Sequence, residues 1–406
     1  MRANILFLII FFYLFSVNFV FSNDLSKNYN IKSKIDLFDN WIKTHISYLN
    51  LCGISIAVIK DQKIIYSNNY GLINQDENIK ASTDSIFKIA SITKIFTSIA
   101  IVKLAEEGKI DLNDKIIKYI PELKNINENG FDINNIKIKN LLTHTSGLPM
   151  NSDYHWNEKK LEDPISFSTV LDRIENQKII YKPNRRFKYS NLGMTIGGIL
   201  IERISGIKYH QYIEKNIFNI LDMSNSSFSM KDKNEDNIAV GYTNLIDKKR
   251  KKHLFTNLVG KIDQPGAGAM STINDLSKFV KWHFRVLDDN DNLIISKKSL
   301  KNMQKLKWAG LPFDTHPIFM SVLSFFLRNF YNYGYGYGYG SNGIFVGHSG
   351  GHYGYSSELL MDNKNKIGII ILSNTSDTPT RIKHNYSISK NLYEIIAKSF
   401  LNEQND

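Results

Sequence analysis

The chain has 406 residues, 42% of them apolar, a formal net charge of +12 and one cysteine, Cys52. That content supplies a large core in one big domain or two. It excludes an internal disulfide, and Cys52 reads as a small buried hydrophobe. No Cys/His cluster has metal-ligand spacing and no glycine-rich phosphate loop is visible, so no cofactor and no metal are expected. The basic balance favours acidic surfaces such as cell-wall polymers or anionic lipid headgroups. No nucleic-acid-binding motif accompanies it, so nucleic acid is not an expected partner.

In chain order, Arg2 precedes an apolar run over 5–15, and Val20-Phe21-Ser22 offers a cleavage point after Ser22. Residues 1–22 therefore read as a signal peptide, with Arg2 their only charge, and the product as exported, periplasmic or extracellular. The run continues to Phe21 with only Ser16 and Asn18 interrupting, which keeps an uncleaved, membrane-anchored form as the alternative. Cys52 lies too far beyond the run to be a lipoprotein cysteine. Residues 35–49 have helical spacing, 54–59 read as a strand, 60–63 as a turn and 64–70 as its hairpin partner. The stretch from Leu104 to about Leu221 is mostly helix and loop. Residues 343–347, 356–361 and 367–372 read as consecutive strands, 362–366 as the last turn and 386–401 as a closing helix. Strands at both ends with helices between imply one sheet assembled from both termini. The charge run Lys248 to His253 reads as a solvated loop.

Three short motifs carry the chemistry: Ser91-Ile92-Thr93-Lys94, Tyr189-Ser190-Asn191 and His348-Ser349-Gly350. Each is common alone; Ser-x-x-Lys also occurs at Ser85/Lys88, Ser205/Lys208 and Ser387/Lys390. Their order, wide spacing and local context set this trio apart. A serine hydroxyl is a poor nucleophile without an adjacent base. With Ser91 at a helix start, Lys94 projects one turn on from the same face. Ile92, Ile95, Phe96, Ile99, Ala100, Val102 and Leu104 make that helix apolar nearly all round, which places it in a core and suits a lysine whose charge must be suppressed. Glu106, Glu107 and Gly108 read as its solvated end and stop. The pattern is that of a serine hydrolase working through an acyl-enzyme.

Residues 84–97 resemble the nucleophile segment of the penicillin-recognising serine hydrolases, in the branch of class C β-lactamases, D-alanyl-D-alanine carboxypeptidases and related esterases. Residues 141–149, Leu-Leu-Thr-His-Thr-Ser-Gly-Leu-Pro, are similar to that branch's loop signature. Residues 183–193 are similar to its tyrosine segment, with Asn184 where glycine is usual, and 266–276 and 347–351 to two further stretches. The resemblance runs from about Ile35 to Phe400. It implies an α+β, β-lactamase/transpeptidase-like fold over residues 31–402, with an antiparallel sheet flanked by helices and a mostly helical subdomain over roughly 105–250.

The resemblance also implies roles. Ser91 matches the acylated nucleophile, Lys94 its base or proton shuttle, and Tyr189 a phenol held partly ionised by neighbouring cations that shares proton transfer. Asn191 matches the amide that orients Lys94 and meets substrate. Ser349 belongs to the substrate-binding strand motif, where Gly350 leaves room for substrate along the strand edge. Gly351 N–H would pair with that of Ser91 as the oxyanion donors. His348 stands where the family has Lys or His, and a histidine near its ordinary value loses charge around neutral pH, weakening carboxylate recognition as pH rises. His144 and His352 read as structural. The expected substrate is a small molecule or peptide with an amide or ester bond. A D-alanyl-D-alanine carboxypeptidase-like or esterase-like activity ranks above β-lactamase. A catalytically idle wall- or membrane-binding module is the reading from another class.

Two segments stand outside this pattern. The Tyr-Gly repeat over 331–340 reads as a lengthened edge strand with a loop, ahead of an aromatic platform. The apolar stretch 317–328 is too short to span a bilayer, and reads as internal packing or a lid ahead of an interface anchor.

Overall fold

Near-continuous apolar runs at the two ends of the chain need both faces covered, and the fold supplies a layer on each side. The structure, a computed structural model, describes residues 31–152, 166–230, 233–244, 250–252, 264–305, 307, 334, 336, 338–339, 345–352, 354–376 and 388–397. The expectations placed on 1–22, on 317–328 and on most of the Tyr-Gly repeat fall outside them.

The strands, in chain order, are β1 (Gly53–Lys60), β2 (Lys63–Asn74), β3 (Ile79–Lys80), β4 (Phe87–Lys88), β5 (Tyr242–Asn244), β6 (Arg250–Lys252), β7 (Met270–Ser271), β8 (Gly338–Tyr339), β9 (Phe345–His352), β10 (Tyr355–Asp362), β11 (Ile367–Ser373) and β12 (Thr375–Ser376). The main sheet has the order β3-β2-β1-β11-β10-β9-β8. β1 from the N-terminal part pairs antiparallel with β11 from the C-terminal part, Ile56 opposite Ile371, so the sheet is assembled from both ends as expected. Arg250–Lys252 form a strand beside β5, which corrects the reading of that charged run as loop.

Alternation along the strands feeds two cores. Ile54, Ile56, Val58, Leu360, Ile369 and Ile371 face one side, where Phe38 and Ile42 of α1 (Ile31–Tyr48) and Ile388 and Leu392 of the C-terminal helix cover them. Ala57, Ile59, Leu359, Met361, Ile370 and Leu372 face the helical layer. That layer includes α2 (Thr93–Glu106), α3 (Asn191–Ser205), α4 (Ile273–Leu287) and α5 (Lys297–Gln304). α2 is buried at every position from Thr93 to Val102, as its all-round apolar pattern demands, and Gly108 follows it with φ +70°. Phe96 holds it centrally, edge-on to Phe218 and Phe279 at 5.1 and 4.9 Å.

Gly338–Tyr339 of the Tyr-Gly repeat form the edge strand β8, and two glycines before it approach the helical layer closely. A Cβ at Gly334 would lie 2.2 Å from the Met303 carbonyl of α5, and one at Gly336 would lie 2.3 Å from Ser98 Oγ of α2. Gly334 and Gly336 are thus each seated by a close approach that only glycine permits.

His283 of α4 is fully buried against Asn363 and Gln304, and burial pushes its ring down to about 4. The unfolded chain takes up that proton near pH 6.5 while the folded ring refuses it until about 4, so stability falls as pH drops through this window. His283→Gln should remove a pH-dependent difference of roughly 3 kcal/mol between pH 7 and 4. Urea midpoints of wild type and variant at several pH values measure it; parallel curves would contradict it.

Candidate active site

Ser91, the expected nucleophile, sits on a turn under strain. Ser91 is the middle residue of a 3₁₀ turn, Ala90–Ile92, that leads directly into α2. Ala90 just before it has φ +46°, a left-handed conformation that alanine adopts only at a cost of about 1–3 kcal/mol. The turn is clamped by Thr93 Oγ1, which donates to the Ala90 carbonyl at 2.6 Å and accepts from Ala269 N–H at 3.1 Å. Ser91 and Lys94 thus stand three positions apart on one rigid unit.

Lys94 is wholly buried, and its Nζ lies 3.1 Å from Ser91 Oγ. The ammonium also donates to the Gly266 carbonyl at 2.6 Å. Tyr189 closes the third side, with Nζ 4.8 Å from its ring centroid and its phenol in hydrogen-bond contact with Ser91. Burial pushes that phenol above its ordinary value, so it keeps its proton at neutral pH. This corrects the expectation of a partly ionised tyrosine: desolvation outweighs the hydrogen bond to Ser91.

Asn191 opens α3, with Ser190 as its N-cap accepting from Gly193 N–H at 2.8 Å. The Asn191 amide donates to Asn151 Oδ1 at 2.8 Å, while its own Oδ1 is buried without a hydrogen-bond partner among the described residues. Gly266 separates that oxygen from the lysine; a Cβ there would be 3.5 Å from Asn191 Oδ1 and 3.6 Å from Lys94 Nζ. The Gly266 carbonyl, and not Asn191, therefore orients Lys94 in this state. Gly266 and Asn151 carried no role in the sequence reading. A carbonyl ligand has no side-chain signature, although the stretch beginning at Gly266 is one of those that resemble the family.

His144, read as structural, packs its ring 4.3 Å from that of Tyr189 and accepts from Ser190 N–H through Nδ1 at 3.1 Å. Burial and the Lys94 charge hold it well below the ordinary histidine range, so it is a neutral prop.

The strand motif divides between two faces. His348 points to the catalytic side, its ring 6.2 Å from Tyr189. Its Nδ1 lies 2.6 Å from the Ser349 carbonyl, which can only accept, so Nδ1 carries the proton and Nε2 is the acceptor. Burial and Lys94 push His348 down to about 3, so it is uncharged throughout the neutral range. The expected loss of charge near pH 6.5 has already happened. Ser349 projects to the opposite face, toward Glu358. Gly350 is where β9 meets the nucleophile turn: a Cβ there would lie 2.3 Å from the Ile89 carbonyl and 2.3 Å from Ser357 Oγ. Gly351 follows, exposed on the strand. β8 pairs only with Val346 and Gly347, so among the described residues the outer edge of β9 from His348 onward has no strand beside it. His352 pairs with Tyr355 at the β9–β10 turn.

A serine, a buried lysine and a tyrosine converge between a helical layer and a sheet edge, the arrangement expected of a serine hydrolase of β-lactamase type. The family model described as Beta-lactamase matches residues 38–392, and the chain belongs to that family. It is 28% identical over 376 residues to Protein flp of Staphylococcus aureus (strain MRSA252), covering 91% of this chain and 69% of the relative. A putative D-alanyl-D-alanine carboxypeptidase of Salmonella heidelberg (strain SL476) is 30% identical over 208 residues, 48% of each chain. Among solved structures, the octameric penicillin-binding protein homologue from Pyrococcus abyssi is similar with TM-score 0.69 and 26% identity, over 84% of this chain and 74% of that one. A class C β-lactamase in complex with cefoxitin shares the fold, with TM-score 0.70 and 19% identity, over 91% of this chain and 99% of that one.

Proposed function

We propose that this is an exported hydrolase that cleaves an ester or amide through an acyl-Ser91 intermediate, with D-alanyl-D-alanine carboxypeptidase-like or esterase-like activity. The observation that carries it is the buried Lys94 Nζ, 3.1 Å from Ser91 Oγ. Two groups touch that hydroxyl. Tyr189 holds its own proton, so the base is Lys94: it carries its charge at rest, and once it has given up a proton it takes the one from Ser91 as Oγ attacks the substrate carbonyl. Tyr189 is the donor to the leaving group, and Lys94 restores its proton. The reverse relay removes a proton from the water that hydrolyses the ester. The backbone N–H groups of Ser91 and Gly351 are the proposed donors to the oxyanion. Substrate is proposed to lie along the outer edge of β9, taking main-chain hydrogen bonds as an added strand. Export is supported by the apolar run of residues 1–22.

The neutral His348 weights this reading toward acyl donors that are not recognised through a free carboxylate. Hydrolysis of p-nitrophenyl butyrate and D-alanine release from a diacetyl-Lys-D-Ala-D-Ala peptide separate the two activities. His348→Lys should raise the rate of acylation by benzylpenicillin about tenfold, because it restores a fixed cation beside the strand edge. No gain would mean that the carboxylate is met elsewhere. If neither substrate is turned over but penicillin is consumed rapidly, the protein is a β-lactamase; if Ser91 reacts with nothing, it is an idle binding module.

A further inference from the structure

One buried carboxyl behind the motif strand has no part in the steps above. Glu358 of β10 is only 3% exposed and lies directly opposite Ser349 in the β9–β10 register. Both project to the face turned away from Ser91, beside Leu360 and in the same cross-strand row as Ile371 of β11. Glu358 Oε2 accepts from Ser389 Oγ of the C-terminal helix at 2.6 Å, and the Ser349 hydroxyl bonds the same carboxyl. Other titratable groups on this face have partners of their own. Asp362 bonds Tyr393 and Asn365, Asp39 bonds Tyr66 and Tyr70, and His45 stacks on Trp41. Lys390 of the C-terminal helix is exposed to solvent. Among the described residues, two serine hydroxyls are thus the polar company of this carboxyl in an apolar layer, and one belongs to the motif strand.

We propose that Glu358 is the positioning residue of the motif strand, bridging Ser349 to Ser389 so that His348 and Gly350 are presented to the nucleophile turn, and that its ionisation limits acylation. Burial raises the carboxyl to about 7, against the pull of both hydroxyls. Protonated, it donates to one hydroxyl and accepts from the other. Ionised, it leaves a negative charge in a dry layer behind the strand that carries the proposed oxyanion donor Gly351. That charge opposes the one developing on the substrate oxygen, so acylation slows as pH rises through about 7.

The role rests on the acyl-serine reading, and the test separates the two. Ser91 labelling by a fluorophosphonate probe and hydrolysis of p-nitrophenyl acetate are followed across pH 6 to 8.5 for wild type and variants. Wild type should show a falling limb with a midpoint near 7. Glu358→Gln has the same shape without the titrating proton; it should keep the rate at pH 6 within about twofold and lack that limb. Ser389→Ala removes a hydroxyl that favours the carboxylate, so the limb should move to higher pH. Glu358→Ala should lower kcat by about tenfold or more with little change in KM; the glutamine and Ser389 variants decide the matter if it does not fold. A glutamine profile superimposable on wild type, or a glutamine variant as impaired at pH 6 as the alanine one, would overturn the positioning role alone. A wild type that neither probe acylates would overturn the acyl-serine reading, and the role with it.

Discussion

Replacing Lys94 with arginine should abolish turnover while leaving the fold and its charge in place. Arginine keeps a cation near Ser91, but its guanidinium does not deprotonate at any working pH, so it cannot accept the serine proton. If Lys94 supplied only charge or packing, the variant would retain substantial activity. If it is the base, kcat should fall by on the order of 10³-fold or more, because nucleophile and base act as one unit. The alternative acceptor on Ser91 Oγ, the Tyr189 phenol, is held protonated by burial and cannot take over. Steady-state kinetics on p-nitrophenyl butyrate decide this, with thermal unfolding checking that the buried site tolerates the larger side chain. Residual activity within tenfold of wild type in a folded Lys94→Arg protein would remove Lys94 from the mechanism.

Gly350→Val should damage activity more than stability. Its Cβ alone would fall 2.3 Å from the carbonyl of Ile89, which precedes the turn carrying Ser91, and 2.3 Å from Ser357 Oγ, which itself donates to that carbonyl at 2.8 Å. Nothing at that contact is a flexible side-chain end except the serine hydroxyl, so β9 and the nucleophile turn must part. The stability cost should be about 1–3 kcal/mol, as for other overpacked sites. The loss in kcat/KM should be at least ~10²-fold, since a displacement of the order of 1 Å between reacting groups is enough for that. Denaturant midpoints and kinetics on the same samples give both numbers. A variant that loses stability yet keeps its activity would show that the close approach serves only packing.

The parts of this molecule legible in the sequence are those that periodicity and side-chain chemistry mark. Ile54 to Ile59 and Ile367 to Leu372 declare two-sided strands, and the all-round apolar run after Ser91 declares a buried helix; these elements stand where the pattern put them. Order and spacing were enough to choose Ser91, Lys94, Tyr189 and His348 among several rival matches, and the four converge. What was not legible depends on burial or on the backbone. Residue identity alone could not show that desolvation would raise Tyr189 and discharge His348. The carbonyl of Gly266, which holds Lys94, and the strained φ of Ala90 belong to the main chain and leave no trace in residue type. The charged stretch Arg250–Lys252 looked like loop because its strand pairing answers to a neighbour, β5, and not to its own alternation. Ser349 illustrates the same limit. A period of two sends adjacent residues of one motif to opposite faces, so it meets Glu358 while His348 meets Tyr189.

The central claim is that Ser91 becomes acylated with Lys94 as its base, and intact mass spectrometry reads the adduct directly. The protein is incubated with a fluorophosphonate probe and, separately, with benzylpenicillin, alongside Ser91→Ala. Wild type should give a single adduct of the probe's phosphonyl mass, mapped to the peptide carrying Ser91 and absent from the variant. A wild type that stays unmodified, or an adduct that persists in Ser91→Ala, would contradict it.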